Sequence, residues 1–171
     1  SDVCSSDLEF ALQVEIILRE TQLIQNATVK NKNTNSKPFD LTFAFHNYFK
    51  VADTAKVEIK GLDSIKYKDK LTGKSGIQKG TITPTGNIDA IYWNAMNAVV
   101  IGQGEDRTAI VVKKTAKELN DTVVWTPWKD PIHDLDPKQW NQFVCVENAQ
   151  IGTPVTLQPK GSVTFHQELF A

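Results

Sequence analysis

Sulfur is scarce in this sequence, which has two cysteines, Cys4 and Cys145, and one methionine among 171 residues. Cys145 lies in the apolar run over residues 143–146 and is predicted to be a small buried side chain. Neither cysteine supports a disulfide framework or a metal site, so the composition favours a reducing compartment. We therefore expect a cytoplasmic protein.

Long hydrophobic runs and an excess of one charge are also missing. No apolar stretch approaches the roughly 20 residues that a membrane-spanning helix needs. The 19 Lys and Arg residues nearly balance the 20 Asp and Glu residues, giving a net charge of −1. Because no overall field favours a polyanion, we predict a soluble chain with no nucleic-acid or membrane partner.

The sequence has almost no helix signals, and its apolar residues instead alternate with polar ones. Apolar residues occupy alternate positions over residues 10–18 and along most of 39–49, the period of a half-buried strand. Ten or more short strands follow at spacings near ten residues, separated by Gly, Pro and Asn. One short helix is predicted over residues 136–140. The pattern indicates a single all-β domain, an antiparallel β-sandwich or closed sheet.

The strand predicted over residues 39–49 carries the first candidate functional residue, His46. Phe43, Phe45 and Phe49 fall on one phase of the alternation and His46 falls on the other, so its ring should face away from the phenylalanines. An imidazole, with an ordinary pKa of about 6.5, exchanges protons near neutral pH. His46 is therefore a candidate proton donor or acceptor, although a structural histidine has the same pattern.

Two carboxylates are further candidates. Glu147 directly follows the apolar run 143–146, where a charge is unusual enough to indicate a ligand, although a solvated strand end is the alternative. Asp89 comes soon after Gly86 and Asn87, so it is either a binding residue or a turn residue at the start of a strand.

The remaining aromatic and histidine residues have weaker support. Trp125 and Trp128 could stack on a sugar, but tryptophans in a sandwich are more often buried in the core. His133 and His166 are interpreted as structural. Because no histidine has a close ligand spacing to a cysteine or carboxylate, the sequence predicts no metal site.

Four motifs, in this order, resemble those of the hexose-6-phosphate mutarotases, the glucose-6-phosphate 1-epimerase branch of the aldose 1-epimerase superfamily. They are FHNYF at 45–49, NIDAIY at 87–92, DTVVWTPW at 121–128 and FVCVE at 143–147. The resemblance extends over residues 9–171. It implies a galactose-mutarotase-like antiparallel β-sandwich, a supersandwich whose concave face binds a pyranose, and it implies no cofactor.

The resemblance also implies a role for each candidate. His46 would be the general acid on the ring oxygen, Glu147 the general base on the anomeric hydroxyl, and Asp89 a ligand of sugar hydroxyls. Opening a hemiacetal ring requires such a pair, because one proton reaches the ring oxygen as another leaves the C1 hydroxyl. We expect the acid and the base to flank the sugar, with the pyranose ring between them.

The chain departs from the family pattern in two respects. Thr126 replaces the asparagine of the family's W-N-P-W motif, so a hydroxyl stands where an amide is usual. The family's N-terminal half, with a further histidine and phosphate-binding arginines, has no counterpart here. Residues 1–8 resemble a translated sequencing adapter. We therefore predict that 1–8 are non-native, that 9–171 are the C-terminal part of one N-terminally truncated sandwich domain, and that the isolated chain has little or no epimerase activity.

The predicted function is an isomerase that interconverts the α and β anomers of hexose 6-phosphates, with a small-molecule sugar phosphate as its partner. Two alternatives stay open. One is a non-catalytic carbohydrate-binding sandwich domain, and the other is an aldose 1-epimerase acting on unphosphorylated sugars.

Overall fold

A computed structural model describes residues 8–34, 37–95, 98–102, 109–114, 118–130, 132–133 and 135–171. In these residues antiparallel strands, numbered in chain order, form two sheets. Sheet I has the order β1 (Phe10–Leu18), β2 (Gln22–Asn31), β13 (Ser162–Phe170), β10 (Ile110–Lys114), β9 (Val99–Gly102), β5 (Glu58–Lys60). Sheet II has the order β3 (Phe39–Ala44), β12 (Phe143–Leu157), β11 (Asp121–Thr126), β8 (Ile88–Tyr92), β6 (Lys66–Asp69), β7 (Ser75–Ile77), and β4 (Tyr48–Lys50) also pairs with β12.

Helical structure in the described residues is limited to two 3-10 helices, Thr54–Lys56 and Pro137–Gln139. The second confirms the short helix predicted over residues 136–140. Asp136 caps it, because its side chain accepts a hydrogen bond from the backbone N–H of Lys138. Among the described residues, no helix has the length and apolar character that crossing a membrane requires. The all-β sandwich prediction is confirmed.

Alternation along β12 divides its residues between two faces. Val144 and Val146 are fully buried and belong to the cluster between the sheets, where Ile101 of β9 also lies. Cys145 and Glu147 alternate with them and therefore lie on the opposite face of sheet II. We call this side, turned away from sheet I, the open face.

The strand predicted over residues 39–49 is interrupted, so that prediction is wrong in detail. β3 ends at Ala44 and β4 begins at Tyr48. Between them, the side-chain amide of Asn47 donates hydrogen bonds to the Val146 carbonyl and to Gln167 Oε1, both at 3.1 Å. Because Asn47 satisfies its polar group inside the sandwich, the backbone leaves the regular ladder. His46 consequently lies in the connection between the two strands.

Strand β1 is exposed along its whole length. It stands at the edge of sheet I and pairs with β2 in the described part of the chain. Its alternating apolar side chains range from 52% exposed at Leu12 to 80% at Leu18. An unprotected edge with an apolar face is a template for pairing with another chain. Residues 1–7 of the tract predicted to be non-native lie outside the described residues.

Candidate active site

His46 and Glu147 are in direct contact on the open face. The Nδ1 atom of His46 lies 3.2 Å from Oε1 of Glu147. The His46 side chain is 54% exposed, whereas that of Glu147 is 8% exposed. The pair therefore combines a buried carboxylate with an imidazole that a ligand can reach. Our expectation that a pyranose ring would fit between the two groups is wrong for this arrangement.

Strand β12 holds both sides of this contact. It carries Glu147 itself, and the backbone N–H of Phe45 donates to the Asn148 carbonyl at 3.0 Å. On the other side of His46, Tyr48 is the ladder partner of Cys145. His46 is thus positioned by backbone hydrogen bonds on both sides.

Burial raises the pKa of Glu147 to about 7. The carboxylate of Asp89 raises it further by repulsion, and the ammonium group of Lys70 opposes this effect. A carboxyl group with a pKa near neutral pH can accept and return a proton with little change in free energy. Glu147 is therefore suited to proton transfer.

Asp89 lies on the same face, one strand beyond β11. It is the ladder partner of Trp125, which in turn is the partner of Cys145. Its Oδ2 atom lies 3.0 Å from Nζ of Lys70, and the Lys70 backbone N–H donates to the Asp89 carbonyl at 2.7 Å. A carboxylate has about four lone-pair sites, so the ion pair is compatible with accepting sugar hydroxyls as well.

Aromatic rings frame the histidine. The ring of Tyr48 stacks on His46 with centroids 4.9 Å apart, and Trp125 meets His46 edge-on at 5.8 Å. The sequence analysis favoured core positions for the tryptophans, but Trp125 is half-buried on the open face. Trp128 instead packs against Trp140 at 5.1 Å. Aromatic faces of this kind suit the apolar side of a sugar.

Cys145 is fully buried, as predicted, between its ladder partners Tyr48 and Trp125. Burial raises the pKa of its thiol, and the neighbouring Glu147 carboxylate adds to the effect. The nearest ligand atoms of His46, Cys145 and Glu147 all lie within 4.8 Å of one another. The pairing of β4 with β12 thus joins possible ligands that are distant in sequence, while the absence of a metal site stays a prediction.

The other two histidines lie elsewhere. His166 pairs across strands with Asn26 on sheet I, and its two ring nitrogens contact Asn26 Oδ1 at 2.5 Å and Glu168 Oε1 at 3.3 Å. His133 is exposed in a loop. Neither is placed at the His46–Glu147 contact.

Sequence reasoning missed three neighbours of the pair. Tyr48 follows His46, and Cys145 precedes Glu147, each by two positions, so the strand period alone could have assigned them to the same face. Lys70 gives no comparable signal, since its place beside Asp89 depends on the pairing of β6 with β8.

Fold and site together define an antiparallel β-sandwich with a contacting histidine and glutamate on the open face of one sheet. The family model described as "Aldose 1-epimerase" matches residues 7–169. The chain belongs to the aldose 1-epimerase family, which confirms the resemblance drawn from the four motifs.

Two relatives agree with this membership. A protein from Cenchrus ciliaris named "Putative glucose-6-phosphate 1-epimerase" is 34% identical over 77% of this chain and 41% of its own length. A protein of the same name from Escherichia coli is 31% identical over 65% of this chain and 38% of its own length. The chain thus spans about two fifths of these curated relatives.

Two crystal structures show the same fold. A "putative mutarotase" from Salmonella typhimurium superposes with a TM-score of 0.79 at 23% identity, over 95% of this chain and 53% of that one. A "Putative aldose 1-epimerase" from Escherichia coli gives a TM-score of 0.77 at 16% identity, over 97% and 61%. At these identities the likeness concerns the sandwich architecture.

Proposed function

We propose that this chain supplies the acid–base pair of an epimerase that interconverts the α and β anomers of a hexose 6-phosphate. The observation that carries the proposal is the 3.2 Å contact between His46 and Glu147 on the open face of the sandwich. Family membership gives the reaction class. The pair gives the groups that the reaction needs, a proton donor beside a proton acceptor.

Direct contact between the two groups suits the geometry of a hemiacetal. The ring oxygen and the anomeric hydroxyl are bonded to the same carbon, so they lie closer together than two hydrogen-bonded atoms do. An acid and a base that lie side by side can therefore reach both oxygens from one side of the sugar. Substrate binding replaces the His46–Glu147 contact by one hydrogen bond from the imidazolium to the ring oxygen and one from the C1 hydroxyl to the carboxylate.

His46 and Glu147 return to their starting protonation states over one reaction cycle. His46 gives its proton to the ring oxygen as the bond from C1 to that oxygen breaks, and Glu147 takes the proton of the C1 hydroxyl as the aldehyde forms. Rotation about C1–C2 presents the other face of the aldehyde. The ring then closes with the roles reversed: Glu147 gives its proton to the aldehyde oxygen, and His46 takes back the proton from the former ring oxygen, so both residues regain their starting states.

The neighbours of the pair support sugar binding. Asp89 offers carboxylate oxygens to hydroxyl groups next to Glu147, and the rings of Tyr48 and Trp125 offer apolar surface beside His46. The phosphate is proposed from the names of the two curated relatives. An aldose 1-epimerase for unphosphorylated sugars is the alternative.

A non-catalytic carbohydrate-binding domain is the second candidate. The observation that favours it is the occupation of both charged pairs: His46 contacts Glu147, and Lys70 contacts Asp89. In such a domain, the sugar would bind to the aromatic side chains without displacing either contact.

Magnetization-exchange NMR on glucose 6-phosphate and on glucose distinguishes these functions. We expect a full-length protein that contains this chain to accelerate anomer exchange of glucose 6-phosphate above the uncatalysed rate, more than that of glucose. His46→Ala and Glu147→Gln should each lower the enzymatic rate by about a hundredfold or more, while the control His166→Ala keeps it. Binding of the sugar with no acceleration would support the carbohydrate-binding domain, and faster exchange of glucose would support the unphosphorylated substrate.

A further inference from the structure

Three chemically different donor groups meet at the candidate active site. A ring nitrogen of His46, the sulfur of Cys145 and a carboxylate oxygen of Glu147 lie within 4.8 Å of one another. The proposed proton transfer uses the imidazole and the carboxylate but gives the thiol no task. Nitrogen, thiolate sulfur and carboxylate oxygen are the three ligand types of zinc sites in proteins.

Strand geometry brings the three together. Cys145 and Glu147 are two residues apart on β12, so their side chains leave the same face of the sheet. The ladder pair Tyr48–Cys145 fixes the connection that carries His46 beside them. The set therefore depends on the regular pairing of β4 with β12 rather than on a chance meeting of surface side chains.

We propose that His46, Cys145 and Glu147 bind a thiophilic divalent transition-metal ion, with Zn²⁺ as the foremost candidate. Three protein ligands with a fourth position left for water is the arrangement of open zinc sites. The thiol selects against Mg²⁺ and Ca²⁺, which prefer oxygen ligands alone.

The distances suit a tetrahedral ion after a small adjustment. Zinc bonds of about 2.0–2.3 Å place the ligand atoms of a tetrahedral site about 3.3–3.8 Å apart. The His46–Glu147 contact of 3.2 Å already matches, and the wider separations of up to 4.8 Å need to contract by about 1 Å. The half-exposed ring of His46 can turn to achieve this, and it also provides the route by which an ion reaches the two buried ligands.

Binding exchanges protons for metal. The zinc–sulfur bond forms as the thiol proton of Cys145 leaves to solvent, and the proton held between His46 and Glu147 is released from the ligand atoms. No electron is transferred. Since the same two groups would contact the sugar, metal and sugar compete, so on the proposed function the ion is an inhibitor rather than a cofactor.

Metal titrations test the site without any activity measurement. Every protein carries Cys4→Ser, which makes Cys145 the sole thiol, since the sequence has two cysteines; Cys4 itself lies outside the described residues. ZnCl₂ is titrated by calorimetry and CoCl₂ by absorption. We expect one saturable site, a sulfur-to-cobalt charge-transfer band, and a rise in melting temperature with Zn²⁺.

Variants identify the ligands. Loss of the groups that merely orient a metal ligand costs about 10–100-fold in affinity, so Cys145→Ala, His46→Ala and Glu147→Gln should each cost about 100-fold or more. Cys145→Ala should also abolish the charge-transfer band. His166→Ala, which removes the other histidine next to a glutamate, should change neither quantity.

Several outcomes overturn the site. They are no saturable binding by the parent protein, a cobalt complex without the charge-transfer band, or an unchanged zinc affinity in the Cys145→Ala protein. If Cys145→Ala does not fold, the cobalt spectra of the parent and of His46→Ala decide in its place. If this chain binds the metal but the full-length protein fails to accelerate anomer exchange, the proposed function alone is refuted and the metal site stands.

Discussion

The side-chain amides of Asn47 and Gln167 exchange two hydrogen bonds inside the sandwich. Asn47 Nδ2 donates to Gln167 Oε1 at 3.1 Å, and Gln167 Nε2 donates to Asn47 Oδ1 at 2.9 Å. Gln167 is fully buried, and Asn47 is the residue that follows His46. The amide pair therefore fixes the connection of His46 from the side opposite to the open face.

Replacing Asn47 by alanine should loosen that connection. The substitution removes one hydrogen bond to the Val146 carbonyl and two to the Gln167 amide, whose bonds to Gln25 and Asn148 remain. Losing hydrogen bonds at such partly buried groups costs about 1–3 kcal/mol in total. We expect the free energy of unfolding, measured in urea, to fall by about that amount. Gln22→Ala, which removes an amide bonded to Arg19 at an exposed site, is the control. An equal loss in both variants would contradict the role of the buried amide pair.

The raised pKa of Glu147 predicts a pH-dependent stability. Its carboxyl group ionises near pH 4.5 in the unfolded chain and near 7 in the folded one. The folded protein therefore holds an extra proton between these values, and the free energy of unfolding falls as the pH rises through this window. Glu147→Gln cannot ionise and should lack this decline, gaining about 1–3 kcal/mol relative to the parent between pH 4.5 and 8.

Urea denaturation of both proteins at pH 5 and pH 8 measures this difference. The matched control is Glu15→Gln, which removes a carboxylate from the exposed strand β1. A stability gap between the parent and Glu147→Gln that stays constant with pH would contradict the assigned shift.

Lys70 should tune the protonation of Glu147. Its ammonium group lowers the pKa of that carboxyl group, so Lys70→Met should raise it and move the ionisation to higher pH. Carbon-13 NMR titration of the Glu147 carboxyl group reports the change directly. Lys113→Met is a close control, since both lysines are 50% exposed and each pairs with a carboxylate that is 19% exposed.

The apolar edge of β1 should drive association. Val14 is 53% exposed and Ile16 is 62% exposed on one face of that strand. We expect the chain to form concentration-dependent oligomers, and Val14→Lys with Ile16→Lys to shift it towards monomer by charging the edge. Light scattering over a dilution series gives the mass. The pair Gln13→Lys and Glu15→Lys, on the other face, should have a smaller effect; a parent that stays monomeric throughout would contradict the prediction.

Local alternation predicted the elements that depend on local sequence. The alternation over residues 10–18 predicts a strand with residues 23–29 as its antiparallel partner, and the structure pairs 10–18 with 22–31, because a long period-two run needs no information from the rest of the chain. Predictions fail where distant contacts decide, as at the interruption of residues 39–49. The sequence pattern also predicts a strand over 80–83, but this segment forms only a bridge between Ile59 and Ile82. It predicts separate strands over 143–147 and 155–157, which join into one strand with a register shift between Gln150 and Val155.

The candidate site likewise has features that the sequence predicts and features that depend on distant contacts. The motifs named His46, Asp89 and Glu147, and all three lie on one face. The distances between these residues could not be predicted from the sequence, because the 3.2 Å contact of His46 with Glu147 depends on the pairing of β4 with β12. The same non-local pairing placed Cys145 beside them, which a search for close ligand spacing could not detect.

Strand β12 supports both partners of the His46–Glu147 contact. Glu147 is part of it, and the connection of His46 is bonded to it through Phe45 and Asn47. A displacement of β12 relative to sheet I therefore carries the imidazole and the carboxylate together and leaves their separation nearly constant. Substitutions in sheet I away from Gln167, which bonds Asn47, should have little effect on the pair, whereas those at the few residues that join positions 45–48 to β12 should disturb it.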